Sequence, residues 1–168
     1  MTINPHAARE RIVYEKLLAP SAATQASQTL LIPETFRCSP VDAARIGGAL
    51  DTIRAMGFQI EAFGQDTFKI DAVPQALGSA SPSAILATVA TDLAESGSRR
   101  SGAKWREELI AKSIAKSFAG ASLKLTEAGA VQLVEELCAC RMPYVCPRGK
   151  PVMIFTSTRE LDRKFARA

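Results

Sequence analysis

Long apolar runs are missing from this sequence. No stretch approaches the roughly 20 apolar residues that a helix needs to cross a bilayer. Residues 1–15 are polar and charged, unlike the apolar centre of a signal peptide. We therefore expect a cytoplasmic protein without a membrane segment.

Paired cysteines are missing as well. The four cysteines, Cys38, Cys138, Cys140 and Cys146, include no CxxC pair. Without a secretory signal, reduced thiols are the expected state. Aromatic residues are scarce at 6%, so Leu, Ile, Val and Ala must fill most of the core that a 47% hydrophobic content allows.

A strong net charge is also absent. The formal charge of +4 is compatible with a phosphate-rich partner, but nucleic-acid binding requires clustered charge rather than a positive total. A surplus of this size is more typical of ordinary solubility. Composition alone therefore leaves open a small α+β adaptor with no catalytic activity.

The residue pattern alternates between amphipathic helices and short strands, which predicts an α+β fold with a mixed small sheet. Helices are predicted at residues 5–18, 39–57, 105–119, 126–138 and 157–167, and another begins at Ser81–Pro82. Strands are predicted at 30–32 and 152–155, with a hairpin that joins 58–62 to 68–72. Candidate lobe boundaries lie near residues 38–40 and 119–122, and the part between them is mostly helical.

The first predicted helix carries the most informative segment. His6 and Glu10 lie four residues apart, so they share one helix face. An imidazole and a carboxylate at this spacing can bind one metal ion. The same pair more often forms an exposed hydrogen bond, so residue type alone favours this structural interpretation over a metal site.

The longer segment 4–15 resembles the endonuclease motif of MutL proteins, DQHAxxExxxxE. His6, Ala7, Glu10 and Glu15 match that motif in register. Asn4 stands where the family has an Asp that is presumed to be catalytic or metal-binding, and a Pro replaces the Gln that follows. An asparagine keeps a carbonyl oxygen but has no negative charge, so it binds a divalent cation less well and cannot act as a general base.

The segment 146–151, CPRGKP, resembles the CPHGRP motif of the same family. Cys146 matches a metal-binding thiolate, whereas Arg148 replaces a histidine. An arginine cannot ligate a cation, and it adds a positive charge beside the site. A turn fixed by proline and glycine around a buried cysteine is the alternative interpretation. Phe165 and Arg167 match the FxR motif that closes the family's domain.

The resemblance also implies a metal-binding Cys at the position that Ala115 occupies here. Of the six ligand positions implied by the family, His6, Glu10 and Cys146 therefore remain. Three such ligands can hold one zinc ion with water as the fourth. Two closely spaced metal ions have too few ligands. The resemblance thus implies zinc or manganese at a reduced site, with Glu10, His6 and the degenerate Asn4 as its catalytic positions.

The segment 28–33, QTLLIP, fits the QxxLxP pattern and resembles the motif with which bacterial MutL proteins bind the DNA polymerase sliding clamp. An extended segment can present Gln28 for polar contacts, and Leu31 and Pro33 to an apolar pocket. A simple buried strand is the alternative interpretation.

Taken together, the resemblance implies a MutL C-terminal dimerisation fold. Its discontinuous dimerisation lobe would comprise residues 1–38 and 122–168, and residues 39–121 would form an inserted external helical lobe. The implied function is DNA mismatch repair: a homodimer that docks on the sliding clamp, works at the nucleoid and meets MutS-type partners and DNA. The alternative function is an active nicking endonuclease that uses zinc or manganese.

Overall fold

The computed structural model describes residues 1–19, 27–78, 80–96, 102–119 and 125–165. The α-helices in these ranges are α1 Pro5–Leu17, α2 Pro40–Gly47, α3 Leu50–Ala55, α4 Pro82–Ser96, α5 Ala103–Ala119, α6 Glu127–Cys138 and α7 Thr158–Lys164. The strands are β1 Thr2–Ile3, β2 Ser27–Arg37, β3 Gln59–Ala62, β4 Thr67–Pro74 and β5 Met153–Ile154. The predicted α+β class is confirmed.

Short polar side chains fix where three helices begin. The Ser39 hydroxyl accepts a hydrogen bond from the N–H of Asp42 at the start of α2. The Thr126 hydroxyl does the same for Gly129 in α6, and Ser157 caps α7. Each hydroxyl satisfies one N–H group that lacks a partner within its helix.

The predicted helix 39–57 is two helices, and the prediction of one was wrong. Helix α2 ends at Gly47, with Gly48 as its C-cap, and α3 starts again at Leu50. Two consecutive glycines combine low helix propensity with a high entropic cost of ordering, which favours a break at this point. Gly57 directly follows Met56, the C-cap of α3, and has a positive φ of 93°. Helices commonly end with a residue in this left-handed conformation, which glycine adopts without steric cost.

Three strands form one antiparallel sheet in the order β2-β4-β3. The predicted hairpin is confirmed, because β3 pairs with β4 and Ile60 lies opposite Ile70. The prediction of a short strand at 30–32 was wrong in extent, because β2 runs over eleven residues along β4. Pairing along β4, which a local pattern does not show, produces this length.

Two separate clusters of buried apolar side chains organise the molecule. The large core joins α2, α3, α4 and α5 to the three-stranded sheet. The small core joins α6 to Cys146 and Val152. Helix α1 serves both, since Val13 and Leu17 enter the large core while Ile12 enters the small one.

Strand β2 falls within residues 1–38, one part of the predicted dimerisation lobe, and pairs with β4 in the sheet of the large core. The other predicted bound, between residues 121 and 122, lies outside the described residues. The two-lobe division itself stays a prediction.

The C-terminal part of the fold is small. Strand β5 pairs with β1 over only two residues each, which is shorter than the predicted strand 152–155. Helix α7 ends at Lys164 with Phe165 as its C-cap, and it buries none of its residues. Arg167, the last residue of the FxR motif, lies outside the described residues. Within the described ranges no helix is long and apolar enough to span a membrane.

Candidate functional site

Asn4 acts as the N-cap of α1. Its Oδ1 accepts the backbone N–H of His6 at 3.1 Å and of Ala7 at 3.2 Å. Its own N–H donates to the carbonyl of Val152 at 2.8 Å. The side-chain oxygen expected at a metal is therefore occupied in capping the helix. The sequence carried a signal for this role, because an Asn before a Pro is favourable at a helix start.

Glu10 and Arg148 form a bidentate ion pair at the centre of the candidate site. Arg148 Nε donates to Glu10 Oε1 at 2.8 Å, and Arg148 Nη2 donates to Glu10 Oε2 at 2.7 Å. The Glu10 side chain is only 1% exposed, whereas that of Arg148 is 35% exposed. Both carboxylate oxygens are thus held by one guanidinium in fork-to-fork geometry, which is the strong form of this contact.

The electrostatics of the pair keep the arginine charged. Hydrogen bonds to Glu10 raise the pKa of Arg148 above its ordinary value, and the negative charge of Glu10 adds to this rise. Burial acts in the opposite direction, and the neighbouring Cys146 contributes a smaller rise. Arg148 therefore supplies a permanent positive charge next to Glu10 and Cys146, the two residues that resemble metal ligands.

Residues 146–149 form a tight turn that places Arg148 over α1. The N–H of Gly149 donates to the carbonyl of Cys146 at 2.9 Å, and Gly149 has a φ of 82°. The N–H of Cys146 donates to the carbonyl of Lys150, which closes the turn from the other side. Cys146 is 2% exposed and belongs to the small core. This is the geometry of a turn fixed by proline and glycine around a buried cysteine.

Further polar side chains of α1 reach the same part of the chain. Arg11 Nε donates to the carbonyl of Val145 at 2.6 Å. Glu15 accepts the backbone N–H groups of Arg141 at 2.7 Å and Met142 at 3.2 Å. These contacts show that the motif helix anchors the segment that follows α6.

Four side chains of α1 therefore contact distant parts of the chain. The contacts are Glu10 with Arg148, Arg11 with Val145, Glu15 with Arg141 and Met142, and Lys16 with Glu136 at 2.8 Å. The sequence motif drew attention to Glu10 and Glu15 but gave no sign of the roles of Arg11 and Lys16. Their partners lie more than 100 positions away, so no local pattern could have identified them.

The remaining members of the implied ligand set do not complete a metal centre. His6 is exposed at the first turn of α1. Ala115 is fully buried in the large core and offers no ligand atom. Across the described ranges, no three His, Cys, Asp or Glu side chains form a group that could hold a metal ion. With Arg148 on both oxygens of Glu10, the donors present do not fit zinc or manganese.

All four cysteines are free. Burial raises the pKa of the Cys140 thiol to about 11, and the nearby Glu15 carboxylate adds to that rise. Since the thiolate is the nucleophilic form, this shift lowers the reactivity of Cys140 at neutral pH.

The segment that resembles a clamp-binding motif forms a bulge in β2. The pairing with β4 shifts register between Thr29 and Glu34, so the residues between them leave the ladder. Pro33 lacks the N–H that regular pairing requires, and bulges are where a sheet accepts proline. Leu31 is fully exposed, and Gln28 and Pro33 are exposed as well. The segment therefore is not a simple buried strand.

Exposed apolar side chains are frequent in the C-terminal part. Phe155 is 78% exposed and Phe165 73% exposed. The other large apolar residues exposed between positions 125 and 165 are Leu125, Val131, Val134, Met142, Tyr144, Ile154 and Leu161. We call this set the apolar surface. Large exposed apolar side chains that gather on one face are characteristic of protein–protein contact.

Comparison with known proteins gives a consistent result. Residues 1–122 match the protein family described as the MutL C terminal dimerisation domain. The DNA mismatch repair protein MutL of Methanothrix thermoacetophila is 32% identical over 167 residues, which make up 99% of this chain and 30% of that protein. The MutL proteins of Trichlorobacter lovleyi (98% and 28% covered) and Chlorobaculum tepidum (99% and 27% covered) are also 32% identical. The chain therefore spans less than a third of the length of these relatives.

Proposed function

This chain belongs to the family of MutL C-terminal dimerisation domains, and on that premise we propose that it joins two copies of a DNA mismatch repair protein and docks them on the DNA polymerase sliding clamp. The exposed bulge of β2 is the observation that carries the docking part. The apolar surface supports the pairing of two copies. MutS-type partners, DNA and a place at the nucleoid stay predictions.

The pairing of two copies accounts for the apolar surface. The two-stranded sheet of β1 and β5 is too small to be stable without further packing. Helix α7 buries no residue of its own, although Leu161 and Phe165 lie on it and at its C-cap. A second copy that covers these elements would bury the exposed aromatic rings, which usually contribute most to interface energy.

Light scattering on size-exclusion eluates tests the pairing. We expect a dimer for the unmodified chain. Phe155→Asp, which would place a charge in the interface, should weaken it by about tenfold or more. Phe63→Asp is the matched control, since Phe63 is 62% exposed but lies in the β3–β4 hairpin. A monomer at high concentration, or an unaffected Phe155→Asp dimer, would contradict pairing through this surface.

The way the bulge divides two neighbouring leucines supports the proposal of clamp docking. Leu30 is half-buried and packs against the large core, whereas Leu31 projects fully into solvent. An extended segment fixed at both ends by β4 is preorganised for binding, so less entropy is lost on association. Gln28 and Pro33, exposed on either side of Leu31, complete the pattern that a clamp pocket would contact.

Surface plasmon resonance with an immobilised bacterial sliding clamp tests the docking. We expect Gln28→Ala combined with Leu31→Ala to abolish binding. Val41→Ala is the control, because Val41 is also an exposed aliphatic residue, at 59%, but lies in α2 outside the bulge. Equal binding by the double variant and the control would show that the bulge is not the docking element.

A nicking endonuclease is the second candidate function, favoured by the retention of His6, Glu10 and Cys146. We place it below the docking function because Arg148 occupies the oxygens of Glu10. A supercoiled plasmid incubated with the chain and Mn²⁺ should therefore remain closed. Nicking that disappears in Glu10→Ala would reverse the order of the two candidates.

A further inference from the structure

The buried carboxylate of Glu10 needs a positive partner. A carboxylate removed from water is costly unless its charge is compensated and its oxygens are hydrogen-bonded. Glu10 is wholly buried on α1, next to the turn that carries Cys146. In the endonuclease motif that this helix resembles, a metal cation would be that partner. Here the partner is part of the chain.

The guanidinium of Arg148 supplies both the charge and the hydrogen bonds. It approaches Glu10 from the turn and contacts one oxygen with each of two nitrogens, at 2.8 and 2.7 Å. A divalent cation that bound Glu10 from the same side would have to displace this fork. It would also lie within a few ångströms of a fixed positive charge, where repulsion is strong.

The same contact fixes the turn on α1. Arg148 follows Pro147 in the turn closed by the Cys146–Gly149 hydrogen bond, so the ion pair ties this turn to the helix. Arg11 and Glu15 extend the attachment along α1 to Val145 and Arg141. A metal is therefore not needed to join the helix to the turn.

We propose that Arg148 replaces the divalent cation as the permanent counter-charge of Glu10, so that the site excludes metal and holds its shape without it. This goes beyond the proposed function and rests on the family relationship. It does not depend on dimerisation or clamp docking, which are measured separately.

Zinc titration against a competing chromophoric chelator tests the proposal on the purified chain. The unmodified protein should take up no stoichiometric zinc. Arg148→His removes the fork, frees Glu10 and adds an imidazole beside Cys146, so its zinc affinity should rise by about tenfold or more. Lys150→His is the matched control, since it adds an imidazole to the same exposed turn but leaves Arg148 in place.

Arg148→Lys separates the effect of charge from that of shape. It retains a positive charge near Glu10, so it should exclude zinc as the unmodified chain does. Stoichiometric zinc on the unmodified chain that is lost in Glu10→Gln would overturn the proposal. So would equal zinc affinity in Arg148→His and Lys150→His, or zinc binding by Arg148→Lys that matches Arg148→His.

Folding is followed on the same samples by circular dichroism. If Arg148→His loses helix content in the absence of metal, saturating zinc should restore it, and failure to do so would count against the proposal. The melting temperature of the unmodified chain should be the same with and without EDTA. Light scattering on these samples reports the dimer independently, so a failed zinc result with an intact dimer would leave the proposed function standing.

Discussion

Helix α1 and the bulge of β2 place their side chains in opposite environments. The helix turns Glu10 and Arg11 toward the protein interior, where both are buried and paired. The bulge turns Leu31 and Ile32 toward solvent, where they are 101% and 79% exposed. Buried charge and exposed apolar surface are both unfavourable, so each needs a partner. The charges have theirs within the chain, whereas the leucine has none among the described residues.

This contrast separates two kinds of sequence motif. The residues of α1 resemble a metal-dependent site, yet their observed contacts are structural. The residues of the bulge resemble a docking element, and their exposure is what docking requires. A motif match therefore identifies residues that matter, while the partners of each side chain decide what the residue does.

The largest effect is expected from removing Arg148, which would leave Glu10 buried without a counter-charge. We expect Arg148→Ala to lower the free energy of unfolding by about 3 kcal/mol, the lower part of the range for a broken buried pair, since Arg148 is partly exposed. Urea denaturation measures this loss. Lys150→Ala on the same turn should stay within about 0.5 kcal/mol. Similar values for the two variants would remove the distinction between buried and exposed charge on which the comparison rests.

A somewhat smaller effect is expected from Glu15, which accepts two backbone N–H groups after α6. Glu15→Ala should cost about 1–2 kcal/mol, because the N–H groups of the exposed Arg141 and Met142 exchange a charged acceptor for water. Hydrogen exchange should show faster exchange at Arg141 and Met142. Glu135→Ala, an exposed carboxylate on α6, is the control. Unchanged exchange in Glu15→Ala would mean that other contacts hold this segment.

The two leucines of the bulge should differ in their effect on stability. Leu30→Ala should cost about 1–2 kcal/mol, since its side chain packs against the large core. Leu31→Ala should change stability by less than about 0.5 kcal/mol, because it is already in solvent. Denaturation and clamp binding should rank the two variants in opposite order. The same rank in both measurements would argue against the division of the bulge into an inner and an outer face.

The smallest effect concerns the cap of α1. Asn4→Ala should cost about 1 kcal/mol, since two N–H groups of the first turn lose their acceptor. Asn4→Asp should keep the stability of the unmodified chain, because aspartate caps equally well and favours the positive end of the helix dipole. Thermal denaturation distinguishes the two. A large loss in Asn4→Asp would indicate that the position does more than cap.

The sequence predicted those parts of the fold that depend on near neighbours. Ser39 and Thr126 cap helices at the positions where the sequence placed a helix start, and the pairing of β3 with β4 followed from their alternating patterns. The break at Gly47 was missed because the apolar pattern continued through it. The length of β2 was missed because pairing with a distant strand determines it.

The candidate site was predictable in its members but not in its contacts. The resemblance pointed to Glu10 and Arg148 separately, as a retained ligand and a lost one. Their pairing spans 138 positions, and only the folded chain shows it. Asn4 was considered for its missing charge, while its capping role depended on where α1 begins.

We expect Glu10 and Arg148 to stabilise this domain as a pair, without metal. A double-mutant cycle of Glu10→Gln, Arg148→Met and the combined variant, measured by urea denaturation in EDTA, tests it most directly. We predict a coupling energy of about 2 kcal/mol or more, so that the combined variant loses much less stability than the two single losses added together. Additive losses within about 0.5 kcal/mol, or a marked loss of stability when EDTA is added to the unmodified chain, would contradict the claim.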